Sequence, residues 1–160
     1  VNFALILMHA IWGIWLTSKN RKARGPVGYA VTNKSSIWSS RNMGILGTLI
    51  LGFIIIHLQH FWGAVHLYET VEPVVYGDAE VGNLYATVAM WFTKEWYVAL
   101  YVLCMAALGF HLWHGFSSVF QTLGLNHVKY NGIINFVGRT FSVIVPVLYA
   151  LIPLYMYFFL

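Results

Sequence analysis

Four apolar stretches, each near the length of a bilayer-crossing helix, alternate with polar connectors along 160 residues. A hydrocarbon core about 30 Å thick takes roughly 20 apolar residues of helix at about 1.5 Å each. The stretches run from about Val1 to Thr17, Met43 to Leu67, Trp96 to Phe120 and Phe136 to Leu160. The first spans only about 25 Å and opens on Val1 inside an apolar run, so this span is expected to begin upstream. It carries neither a basic lead nor a small-residue cleavage site, which makes it a span rather than a signal peptide. Pro146 and Pro153 fall inside the fourth stretch, where a membrane helix tolerates them and is expected to kink. Hydrophobic residues make up 59% of the chain and charged ones 9%, against roughly a quarter charged in soluble domains. That balance excludes a soluble globule, a disordered chain and a nucleic-acid binder. No Gly/Ser-rich linker divides the sequence, so residues 1–160 read as one all-α domain. The expected architecture is a polytopic membrane bundle with four transmembrane helices.

The charges orient it. Lys19, Arg21, Lys22, Arg24, Lys34 and Arg41 lie between the first and second spans, and Lys129 and Arg139 between the third and fourth. The second connector holds all five acids, Glu69, Glu72, Asp78, Glu80 and Glu95, with Lys94 as its one base. Eight of nine basic residues thus share a face, which the positive-inside rule assigns to the cytoplasm. Topology alone accounts for that charge, and a docking surface for a cytoplasmic subunit is compatible with it.

Seven histidines separate this chain from a generic bundle: His9, His57, His60, His66, His111, His114 and His127. His66 and His127 fall at a span end and in a connector and read as interfacial or solvated. The other five lie inside spans, where an ionisable group needs a partner or a function. Counting at about 1.5 Å per residue puts His9 about 12 Å from the basic end of its span. His111 lies about 22 Å from the opposite end of the third span, hence in the same half of the bilayer as His9. His57 lies about 21 Å in from the basic end, in the outer half, where no other histidine matches its depth. The residues therefore offer one complete pair and half of a second.

Paired neutral imidazoles in an apolar bundle suit the two axial positions of a b-type haem. Gly13 and Gly115, each one turn beyond a ligand candidate, leave space for a flat ring. A di-iron bundle requires acids inside the spans and a Schiff-base site a buried lysine, and neither occurs. There is no C-x-x-C-H for covalent haem attachment, and the single Cys104 excludes a disulfide framework and reads as a small packing residue. His60 and His114 follow His57 and His111 at i+3, in H-L-Q-H and H-L-W-H. Either member of each couple is a candidate ligand. His111 is preferred to His114 for its glycine, and His57 and His60 are not separated by the residues alone.

Three segments carry a resemblance: L-I-L-M-H-A-I-W-G-I-W-L-T-S-K-N (Leu5–Asn20), G-F-I-I-I-H-L-Q-H-F (Gly52–Phe61) and F-H-L-W-H-G-F-S-S-V-F-Q-T-L-G-L-N-H (Phe110–His127). They resemble the di-haem cytochrome b membrane anchor of succinate dehydrogenases and fumarate reductases, the succinate:quinone oxidoreductases. The resemblance implies a five-helix bundle with four haem ligands on its first four helices. The given spans are similar to helices two to five, so the first helix is expected to be missing from this sequence. His9 and His111 then match the axial ligands of the cytoplasmic-side (proximal) haem b, and His57 one ligand of the distal haem b. The fourth ligand would lie on the absent helix. The resemblance further implies a flavoprotein and an iron–sulfur subunit on the cytoplasmic face and a membrane quinone, menaquinone, as substrate. The setting it implies is the bacterial cytoplasmic membrane. Arg41 reads either as a propionate partner or as a snorkelling topology charge. His114 reads as a propionate contact or an interfacial residue. Two other classes remain open on the sequence: the cytochrome b of a hydrogenase or formate dehydrogenase, and a haem-free bundle whose histidines bridge helices.

Overall fold

The computed structural model describes residues 2–26 and 38–160. Val1, where the first apolar stretch opens, and Lys34 of the basic connector lie outside the described residues. Helix α1 covers Asn2–Arg24, running past the apolar run into Lys19–Arg24. Lysine and arginine are good helix formers, and Arg21, Lys22 and Arg24 in the last turn complement the negative end of the helix dipole. A short helix α2, Trp38–Arg41, precedes α3, Met43–His57. Helix α3 continues without a break into a π-helical turn, Leu58–Gly63, and then α4, Ala64–His66. Next comes a β-hairpin, β1 (Pro73–Tyr76) paired antiparallel with β2 (Ala79–Gly82) in the register Tyr76↔Ala79. Its two-residue turn opens on Gly77 at φ +60°, the positive φ that a type II′ turn needs at its first central position. Helix α5, Leu84–Phe92, is capped by the Asn83 side chain, which accepts from the Ala86 N–H at 3.0 Å. Two long helices complete the chain, α6 (Glu95–Thr122) and α7 (Asn131–Phe159), the latter continuous through Pro146 and Pro153.

Among the described residues three helices are long and apolar enough to cross a membrane: Met43–His66, Glu95–Thr122 and Asn131–Phe159. These match the second, third and fourth stretches expected from the sequence. Helix α1, Asn2–Arg24, is not among the three.

The packed core lies at the hairpin end of the bundle. Phe61, Phe92, Tyr97, Val98 and Tyr101 form it, supported by Phe53, Ile56, Trp91 and Leu154. There α5 and the π-helical turn close over the start of α6. Helices α6 and α7 meet along a seam of small residues. Gly138 is buried, and a methyl group at that position would run into the Phe116 ring. Cys104 is buried in α6 as a free thiol. The basic end is built differently. Helix α1 has no buried residue, and it touches the bundle where Gly44 of α3 admits Thr17, whose Cγ2 would sit 2.9 Å from a Cβ there.

Candidate functional site

The opening at the basic end is a cavity of about 750 Å³ between α1, α3 and α6. That is the size of a pocket for a cofactor-sized molecule. His9 reaches it from α1 and His111 from α6. Their ring centres stand 6.1 Å apart with the planes at 85°. Two imidazoles on opposite sides of one metal ion stand about 6 Å apart: two metal–nitrogen bonds of about 2 Å, plus about 1.1 Å from each nitrogen to its ring centre. His111 Nδ1 is buried and has no hydrogen-bond partner among the described residues, an arrangement that is costly for a polar atom left alone. Glycine shapes the wall beside it, since a Cβ at Gly47 would lie 3.6 Å from His111 Cε1. Gly13 also lines the cavity, and a Cβ there would meet nothing within 4 Å.

The walls grade from apolar to basic. Ile6, Ala10 and Ile14 of α1 face Ile50, Leu51 and Ile54 of α3. At the basic end the rim is Thr17, Ser18, Arg21 and Lys22. Helical side chains lean toward their own N-terminus, so Arg21 and Lys22 incline toward His9 rather than away from it. Sequence reading missed these two as site residues because they blend into the topology charge. The available signal was their position, three turns beyond His9 on one continuous helix. Arg41 closes α2 and is not part of this cavity's wall. His114, half-buried one turn beyond His111, is also outside it.

His57 and His60 take different roles. His60 lies inside the π-helical turn, hydrogen-bonded through Nδ1 to the Tyr97 hydroxyl at 2.9 Å and stacked on Trp91 at 3.8 Å. Lys94 Nζ covers the same indole at 3.8 Å. His57 sits at the junction of α3 with the turn, exposed on one side and flanked by Phe53, Phe61 and Tyr101 rings at 5.8, 5.1 and 6.4 Å. It stands ten residues beyond Gly47 on α3, about 15 Å along the axis from the His9–His111 level. His66 bonds through Nδ1 to the Trp62 carbonyl at 3.0 Å, and His127 Nδ1 accepts from the Lys129 N–H at 3.2 Å. Both are local and remote from the cavity.

Among the described residues no group of three or more His, Cys, Asp or Glu side chains is placed to hold a metal ion. A site built from protein ligands alone needs such a group, whereas a porphyrin brings its own four equatorial nitrogens and asks the protein for two. Two imidazoles at this separation and a basic rim would accommodate a haem with its two carboxylates.

The fold thus defines a mostly helical chain with three helices long and apolar enough to cross a membrane, and a two-histidine cavity beside them. Comparison with protein-family models, curated proteins and solved structures finds no match.

Proposed function

We propose that this chain is a haem b-binding membrane anchor of the succinate:quinone oxidoreductase type. In this reading it conducts electrons between a cytoplasmic iron–sulfur subunit and a membrane quinone, and the dicarboxylate chemistry resides in a flavoprotein subunit. Helix α1 is then the fourth transmembrane span, the basic end faces the cytoplasm, and the setting is a bacterial cytoplasmic membrane. The observation that carries the reading is the apposition of His9 and His111 at 6.1 Å across a cavity with a basic rim.

When bound, haem iron supplies a one-electron centre whose potential responds to its ligands and burial. The chain's own residues do the rest. His9 and His111 would hold the iron, each with one imidazole nitrogen. Arg21 and Lys22 would neutralise the haem's carboxylates at the rim, and the Ser18 hydroxyl would donate a hydrogen bond to one of them. The isoleucines and Leu51 lining the cavity would keep water from the bound group. His57, about 15 Å further out, is the ligand this chain offers to a second haem whose other ligand lies elsewhere. His60, held by Tyr97, is the less suitable member of its couple.

The test is a dithionite-reduced minus air-oxidised spectrum of the purified protein. A b-type α-band is expected, and His9→Ala and His111→Ala each remove the same spectral component. No α-band, or two different components lost, overturns the proposal. Co-purification with a nickel or molybdenum subunit instead of a flavoprotein would keep the haem and move the chain to another respiratory complex.

A further inference from the structure

A second cavity, separate from the histidine site, runs between α6 and α7 on the side where α2 lies. It holds about 480 Å³, with Val102, Ala106, Val147 and Ala150 along its length and Phe110 and Trp113 toward the basic end. Ser39 of α2 forms part of its wall there, only 3% exposed, and its hydroxyl has no hydrogen-bond partner among the described residues. The other hydroxyl of the groove, on Ser142, is already donated to the Gly138 carbonyl at 2.7 Å. One turn beyond Ser142 toward the basic end, the Arg139 guanidinium lies over the Trp113 ring at 5.4 Å. That cation–π contact keeps the charge beside Trp113, one of the groove's lining residues.

We propose that this groove is a binding site for an anionic phospholipid, with one acyl chain between α6 and α7, the phosphate at Arg139 and an ester oxygen accepting from Ser39. Three observations select this occupant. Both walls are helices apolar enough to cross a membrane, so the groove opens where acyl chains are. From Ser142 to Ala150 it runs about 12 Å along α7, close to the roughly 15 Å depth of one leaflet's hydrocarbon. No charged residue is among the described residues lining it, and Arg139, over the lining Trp113, stands beside the one end that holds the Ser39 hydroxyl, buried with no hydrogen-bond partner among the described residues, and two indoles, Trp38 and Trp113, of the kind that gather at headgroup depth. A neutral amphiphile matches the walls and leaves Arg139 unused.

The proposal stands apart from the haem reading. The experiment reconstitutes the purified protein in phosphatidylcholine bilayers containing a minor fraction of phosphatidylglycerol. Chain-spin-labelled versions of each lipid then report the motionally restricted fraction. Phosphatidylglycerol is expected to be held about fivefold more strongly than phosphatidylcholine, the advantage one basic side chain gives at an anionic surface. Arg139→Gln removes that preference without changing the groove's volume, and Ala106→Phe reduces restriction of both lipids. His9→Ala leaves all of this unchanged while removing the spectral component of the His9–His111 site. Equal retention of the two lipids, a preference that survives Arg139→Gln, or a quinone found in the groove by native mass spectrometry each overturns the proposal. Should Ala106→Phe fail to fold, the Arg139→Gln comparison decides alone.

Discussion

A histidine in an apolar bundle has two ring nitrogens to satisfy, and the chain handles this in opposite ways at its two ends. His60 gives Nδ1 to Tyr97 and its face to Trp91, so it is occupied by the protein itself. His111 keeps a buried Nδ1 without a partner among the described residues, beside a second imidazole. The juxtaposition of His9 and His111 was legible by counting residues from the span ends, since depth along a straight helix is arithmetic. The division of labour between His57 and His60 was not, because it depends on Tyr97 and Trp91, which approach from other elements. Two predictions belong at this scale. Gly47→Leu places branched carbon where a Cβ would already be 3.6 Å from His111 Cε1, so on the proposed haem reading the pigment-to-protein ratio should fall several-fold with helical circular dichroism unchanged. Tyr97→Phe removes the partner of His60 and should lower stability by about 1 kcal/mol or less, read from thermal or detergent unfolding, with that pigment ratio preserved.

Long apolar helices announce themselves in sequence, which is why the continuous run from α3 through α4, with α6 and α7, matches expectation within a few residues. The elements that escaped are those whose cause is local or tertiary. The hairpin Pro73–Gly82 and α5 lie in a stretch read only as an acidic connector, although Gly77 and the Asn83 cap are local signals for both. The π-helical turn is subtler. H-L-Q-H and H-L-W-H share a spacing, yet the first begins a π-helical turn and the second lies in regular α-helix. Equal spacing therefore does not give equal geometry, since each i→i+5 turn shifts the register of the residues beyond it. At the α6–α7 seam the decisive residue is Gly138, where any side chain meets Phe116. Gly138→Ala should destabilise the protein by about 1–3 kcal/mol, the usual range for overpacking. Pairing it with Phe116→Leu should recover much of the loss in the same unfolding assay. Equal stability of Gly138→Ala and wild type would show that the seam is looser than its geometry implies.

At the scale of the whole molecule the bundle is tight at the hairpin end and open at the basic end, and the charge obeys the same division. Aromatic residues from the π-helical turn, α5 and α6 seal the first end, whereas α1 leans on α3 with nothing buried and leaves room between them. An open, basic end suits a face that receives a cofactor and meets a partner subunit, provided it is the cytoplasmic face. The proposed orientation makes a direct prediction. The one native thiol, Cys104, is 3% exposed and gives a low background for labelling. A cysteine at Asp78, at the hairpin tip, should react in intact cells with a membrane-impermeant maleimide. One at Val128, 94% exposed in the connector between α6 and α7, should react only after the cells are opened. Because the two positions sit at opposite ends of α6, reversed labelling would invert the topology and place the His9–His111 cavity near the outer face. Labelling of both in intact cells would mean that α6 does not cross the membrane at all, and the anchor reading would fall with it.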